Sequence, residues 1–182
     1  MRFTEKSWEI GVFLLCCFLM NGCGGYRLGS NLPGHLRTIS IPTFINSTQE
    51  PGIEISITNE IINQFQIDGT LSISEDDPDL ILHGELIGYR REALRYTGKD
   101  FKEVEEYRLR ILAKLTLIET DKDQPRWKGR VVEGETTYFV AGDFREIERS
   151  AIGTLTEEER SQLPTLEEDL AHDVVDAVVE DW

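Results

Sequence analysis

Glu106-Tyr107-Arg108-Leu109-Arg110-Ile111-Leu112-Ala113-Lys114-Leu115-Thr116-Leu117-Ile118 is the stretch on which the fold turns. Tyr107, Leu109, Ile111, Ala113, Leu115 and Leu117 occupy alternate positions, with Arg108, Arg110, Lys114 and Thr116 between them. A period of two sustained over that length marks a strand with one dry and one wet face. A sheet built on such a strand must bury its apolar face, so the rest of the chain has to supply a cover.

The flanks supply both partners and cover. Downstream, the turn Asp121-Lys122-Asp123-Gln124-Pro125 leads into a second strand over 126–140, which makes a hairpin. Upstream, 79–96 opens with Leu80, Leu82 and Leu86 at even spacing, and Leu36-Arg37-Thr38-Ile39-Ser40-Ile41 forms a fourth strand stopped by Pro42. Ile53, Ile57, Ile61 and Phe65 recur every four residues with Ile62 beside them, a helical stripe closed by Asp68-Gly69. Leu166, Leu170, Val174, Val178 and Trp182 form another, opened by a capping box at Thr165-Leu166-Glu167-Glu168. The polar, acidic stretch 154–162 reads as a short extra helix or a surface loop. The expected fold is α+β, a two-layer sandwich whose four-stranded, mostly antiparallel sheet is covered on one face by two helices.

At the N-terminus, Arg2 and Lys6 precede an apolar run from Ile10 to Met20. That run is shorter than the roughly 20 residues of a membrane span and has the layout of a secretory signal. It ends at Leu19-Met20-Asn21-Gly22-Cys23, which resembles a bacterial lipobox, in which Cys23 takes lipid on its sulfur and becomes the new N-terminus. The alternative is ordinary secretion with cleavage elsewhere. The expected organisation is a signal peptide over 1–22, a lipidated tether over 23–35 and one domain over 36–182. Cys16 and Cys17 leave with the signal and Cys23 is acylated, so the domain is held by packing, without a disulfide.

A hydrophobic content of 40% in 182 residues supports a folded core, and a net charge of −15 argues against nucleic acid as a partner. The charge is uneven. Between Gly88 and Arg130 stand 12 cations against 8 acids, a local net of +4. In the expected hairpin register Trp127 and Val131 point inward, so Arg108, Arg110 and Lys114 share the outer face with Arg126, Lys128 and Arg130. Glu106 is the only acid these two strands add to that face. Like charges opposite one another destabilise a strand pair by roughly 0.2–1 kcal/mol. Six cations there point to an anionic partner or to acids reaching over from a neighbouring strand or loop; the alternative is a solvated face balanced by the acidic tail. Arg110 and Lys128 on opposite faces would refute this. A second basic patch, Arg90, Arg91, Arg95 and Lys99, is interleaved with Tyr89, Tyr96 and Phe101. It could grip phosphates by charge-assisted bonds while the rings meet apolar chains, or keep a projecting hairpin tip soluble.

Nothing in the sequence assembles a catalytic centre. His35, His83 and His172 fall in three different elements, with no H-E-x-x-H, nucleophile elbow or P-loop. Glu75-Asp76-Asp77-Pro78-Asp79 lacks the spacing of an EF-hand loop. No enzyme, metal or cofactor is expected.

Several segments resemble the LPS-assembly lipoprotein family, LptE: Cys23-Gly24-Gly25-Tyr26-Arg27-Leu28, Ile41-Pro42-Thr43-Phe44-Ile45-Asn46-Ser47-Thr48, Pro51-Gly52-Ile53-Glu54, Asp79 to Leu86 with Tyr89, Glu106-Tyr107-Arg108-Leu109, and Asp169-Leu170-Ala171 before a valine-rich helix. The resemblance implies a helix-on-sheet sandwich. It also implies a lipoprotein that sits as a plug in an outer-membrane β-barrel, LptD, helps that barrel to assemble, and contacts lipopolysaccharide on its way to the cell surface. Gly24 after the lipidated cysteine fits sorting to the outer membrane, with the domain facing the periplasm. The adaptor module of another envelope complex is the alternative. The resemblance assigns no ligand-contact residue to a single position; the basic residues above are the candidates for lipopolysaccharide.

Overall fold

The computed structural model describes residues 32–97, 103–122, 124–139 and 155–180. The signal segment, Cys23, Lys99, Phe101 and Trp182 lie outside them. Among the described residues six strands and two helices follow in the order β1 (Thr38–Ser40), β2 (Ile45–Asn46), α1 (Ile53–Asp68), β3 (Ser72–Ile73), β4 (Leu80–Thr97), β5 (Glu103–Glu119), β6 (Pro125–Phe139) and α2 (Glu157–Val179). All strands belong to one mixed sheet in the order β3-β1-β4-β5-β6, with β2 also on β4. The three long strands form an antiparallel meander, while β1 and β2 run parallel to β4.

The α+β sandwich is as expected, but the sheet has six strands rather than four. The two additional ones, β2 and β3, are two residues each. Apolar alternation over two residues leaves no periodic signal to read. Both helices lie on the same side of the sheet. Ile53, Ile57, Ile61 and Phe65 are buried on α1, and Leu166, Leu170, Val174 and Val178 on α2. They meet Leu109, Ile111, Ala113, Leu115 and Leu117 of β5, none more than 1% exposed. Each fully buried Leu or Ile adds about 1.5–3 kcal/mol relative to exposure, which makes this interface the main stabilising term.

Local chemistry sets the ends of the elements. Gly69 closes α1 in the left-handed region, φ 73°, and its N–H donates to the Phe65 carbonyl. Before α1, the Asn46 side chain donates to the Glu50 carbonyl and to Glu54, while its oxygen accepts from the Thr48 amide and hydroxyl. Asp79 joins the start of β4 to β1, since its Oδ2 accepts from the Arg37 and Thr38 amides and the Thr38 hydroxyl. Those bonds, the Arg37 amide first, hold its carboxyl below the usual range. The last residue of the Glu75–Asp79 stretch is thus a structural clamp.

The final helix begins earlier than expected. Its capping box is Thr156 with Glu159, not Thr165, and Pro164 lies inside it. Residues 157–162 are its first turns rather than a separate helix or loop. The Thr-x-x-Glu pattern at Thr156 is as good a cap as the one at Thr165, and it wins because Glu159 has a buried partner on the sheet.

Two glycines let elements approach closely. A Cβ on Gly84 would stand 2.1 Å from a Phe44 ring carbon, so the ring of the β1–β2 segment lies flat on β4 there. A Cβ on Gly134 would meet the backbone of α2, 2.8 Å from the Leu170 nitrogen and 2.9 Å from the Leu166 oxygen.

Candidate functional site

One face of the sheet carries the helices; the other is left uncovered by the described residues, and it is where the sequence places its cations. Register decides which of them reach it. β4 faces its even residues inward as far as Leu86, opposite Ala113; a bulge at Ile87 then reverses the phase. Tyr89, Arg91 and Ala93 therefore oppose Ile111, Leu109 and Tyr107 on the helix side, while Arg90 opposes Arg110 and Glu92 opposes Arg108 on the uncovered side. β6 makes the same switch at Gly129, whose φ of 78° suits a glycine bulge. Before it Trp127 points inward opposite Leu117; after it Arg130, Val132 and Gly134 do, opposite Leu115, Ala113 and Ile111.

Lys128 opposes Thr116 and so shares the uncovered face with Arg108, Arg110 and Lys114. Arg130 does not. It lies on the helix side, donates to the Ala177 carbonyl at 3.1 Å and covers the Trp127 ring. Val131, expected inward, is 52% exposed. Arg126 is the extra residue of a further irregularity and binds Glu119 at 3.2 Å. Burial pushes the Glu119 carboxyl up, but hydrogen bonds from Lys122 and Arg126 outweigh it, and its pKa falls below the ordinary value. Arg91, opposite Leu109, is also turned to the helix side.

The phase switch at Gly129 brings acids onto the uncovered face. Arg110 Nε lies 3.1 Å from Glu133 and 3.6 Å from Glu135, Arg110 Nη1 3.8 Å from Glu92, and Arg108 Nε 3.6 Å from Glu135. The face is therefore a mixed lattice, not the nearly pure cationic surface that an unbulged hairpin would give. Exposed pairs of this kind contribute about 0–1 kcal/mol each. Arg90, Lys114 and Lys128 have no ion pair among the described residues, and Arg90 stands directly opposite Arg110. Further along, Leu94, Tyr96 and Phe139 are exposed at the ends of β4 and β6, and Arg95 lies 6.0 Å from the Phe139 ring centre and 3.5 Å from Glu106. Cations beside exposed rings make a surface suited to a lipid with an anionic head.

On the helix side sits a polar cluster that the sequence did not announce. Arg91 Nη1 is 2.8 Å from Glu159 Oε1, and the Glu159 side chain is 4% exposed. The Tyr138 hydroxyl donates to the same oxygen at 3.3 Å, and the Thr156 amide donates to Oε2 at 2.9 Å. Tyr107 stacks on Tyr138 at 5.6 Å and lies under the Arg91 guanidinium at 5.5 Å. Burial, and then the Glu159 charge, push the Tyr89 and Tyr138 phenols up, so both stay protonated. The signal for this cluster was the change of phase in β4, where Tyr89 and Ala93 follow Leu82 and Leu86 at odd positions.

The histidines remain apart. His83 is exposed on the uncovered face, and His172 contacts Gln64 between the helices. Among the described residues no three His, Cys, Asp or Glu side chains form a group able to hold a metal ion, and no helix is long and apolar enough to cross a membrane.

Among solved structures, the chain is similar to the hypothetical protein CT253 of Chlamydia trachomatis, with a TM-score of 0.52 at 6% identity over 79% of this chain and 95% of that one, a likeness of fold. It also matches a minor lipoprotein of Acinetobacter baumannii at a TM-score of 0.47 and 14% identity, over 80% and 94% of the two chains. The rare lipoprotein B of Shewanella oneidensis matches at 0.47 and 14%, over 76% and 92%. No curated protein matches the sequence. The family described as "LptE: Lipopolysaccharide-assembly" matches residues 36–178, most of the chain. The chain belongs to the LptE family of lipopolysaccharide-assembly proteins.

Proposed function

We propose that this protein is an outer-membrane lipoprotein, anchored through lipid on Cys23 and facing the periplasm. In this reading it plugs and helps to assemble an LptD-type β-barrel that carries lipopolysaccharide to the cell surface. It also touches lipopolysaccharide with its uncovered sheet face and the end of the long strands, and it performs no catalytic step. Family membership supports the role, and the observation that carries the ligand contact is the set Arg90, Lys114 and Lys128 on the uncovered face, exposed and without an ion pair among the described residues, with Leu94, Tyr96 and Phe139 exposed towards the strand ends. Arg110 is already paired with Glu92, Glu133 and Glu135, whereas these three cations are left to take an anion from outside. A phosphate can do so by charge-assisted bonds, and acyl chains can lie against the exposed side chains towards the strand ends. With a net charge of −15 over the whole chain repelling anions in general, such a ligand is confined to this face.

The triple variant Arg90→Glu/Lys114→Glu/Lys128→Glu tests it. These side chains are exposed and unpaired among the described residues, so thermal unfolding should shift by no more than a few degrees. Binding of purified lipopolysaccharide to the full chain in detergent should weaken at least tenfold. Unchanged affinity would remove this face from the account. Arg126 and Arg130 are unsuitable for such a test, because replacing them would disturb Glu119 and the end of α2.

A further inference from the structure

Beyond any lipid contact, the free edge of the sheet has the form of a docking site. Among the described residues β6 pairs with β5 alone, so one row of its backbone groups faces away from the sheet. The Glu135 amide identifies that row, because it donates to Asp169 Oδ2 at 2.8 Å instead of to β5. Register runs without interruption from Arg130 to Phe139, so Val131, Glu133 and Thr137 turn their amides the same way. An exposed row of this kind is a template for another strand.

The edge is flanked by charge. Asp169, Asp173, Asp176 and Glu180 follow one another along α2 at helical spacing, and all four are exposed. Between the last three and the β6 residues Val131 and Glu133 runs a cleft of about 490 Å³. Burial, and then Asp169 and Asp176, push the Asp173 carboxyl up, so these acids repel one another. Arg130, at the floor of the cleft, is already bound to the Ala177 carbonyl. Asp169 shows how an acid here meets the edge, by taking up a single amide, and that arrangement stops short of Val131 and Glu133.

We infer that β6 over Val131–Glu133 accepts an added strand from a partner polypeptide, an extended segment with lysine or arginine at alternate positions facing the acids of α2. Backbone bonds to the outward row supply the affinity, and the alternate cations select the register. The residues between them lie over the half-exposed Val131. A second copy of this chain fits poorly, because edge-to-edge pairing would set two acidic α2 stripes side by side.

The test uses the full chain in detergent and a fluorescent nine-residue peptide alternating lysine and valine. Saturable binding is expected, with hydrogen exchange slowed at the Val131 and Glu133 amides. Asp173→Asn/Asp176→Asn/Glu180→Gln should weaken binding at least tenfold while leaving secondary structure intact. The same peptide N-methylated on alternate residues, which keeps its charge and removes the bonds that extend a sheet, should not bind. Equal binding of the methylated peptide would overturn the inference, as would binding insensitive to the triple variant or absent at millimolar peptide. Self-association of the triple variant without peptide binding would also overturn it, and would assign the acids only to keeping copies apart.

Discussion

Gly134→Val is expected to leave α2 unable to dock on the sheet. Gly134 stands on the inner face of β6 opposite Ile111, where α2 passes so closely that a Cβ would lie within 3 Å of two backbone atoms of the helix. A flexible side chain could move aside, but a helix backbone moves only as a body, and it takes Leu166, Leu170 and Val174 with it. Even Gly134→Ala should cost about 1–3 kcal/mol, the usual scale of overpacking. Valine should exceed that and consume much of the roughly 5–15 kcal/mol available to a domain. Gly88→Ala is the control. Its added carbon would be 3.4 Å from the nearest atom, a Leu112 methyl, so its urea midpoint should stay close to that of the parent. Equal midpoints for Gly134→Ala and Gly88→Ala would show that the helix does not approach the sheet as described.

Glu159→Ala should be the second large loss. It removes the cap of the Thr156 amide, leaves the Tyr138 hydroxyl without its acceptor and strips Arg91 of its counter-charge. Breaking a buried pair costs about 3–5 kcal/mol, and the lower end applies here because Arg91 keeps a third of its side chain in water. Glu159→Gln separates the parts, since glutamine can still close a capping box but carries no charge. It should lose less than alanine. A double-mutant cycle with Arg91→Met should give a coupling of at least about 1 kcal/mol between the two side chains. Additive losses would mean that Arg91 is merely solvated near the helix start.

These two sites show where the sequence was legible and where it was not. The stripes on α1, α2 and β5 are long and regular, so burial at Ile57, Leu115 and Val174 could be read directly from spacing. Glu75 to Asp79 and the close approach at Gly134 could not, because both depend on what a distant segment brings. The face of a cation was legible only as far as the first bulge. Arg108 and Arg110 lie in the uninterrupted part of β5 and were placed correctly, and Lys128 precedes Gly129. Arg130, expected on the outer face, follows Gly129 and is turned inward by that single unpaired residue, and Arg91, which the sequence assigned to no face, follows the Ile87 bulge and is turned inward in the same way. The same slip hid Glu133 and Glu135, the acids that now temper the basic face. Gly88 and Gly129, glycines in otherwise strand-like runs at the two bulges, were the visible warnings. For α2, two capping boxes competed in the sequence, and the bonds of the buried Glu159 to Arg91 and Tyr138 on the sheet select Thr156.

The proposed role as a barrel plug is most directly tested by what the protein holds in its own membrane. The full-length chain, tagged at its C-terminus and expressed in its native host, should be recovered from outer membranes in mild detergent together with one large β-barrel in roughly equal amount. Recovery from the outer membrane with a different envelope complex, or with no partner, would contradict the plug and leave the sandwich as an adaptor.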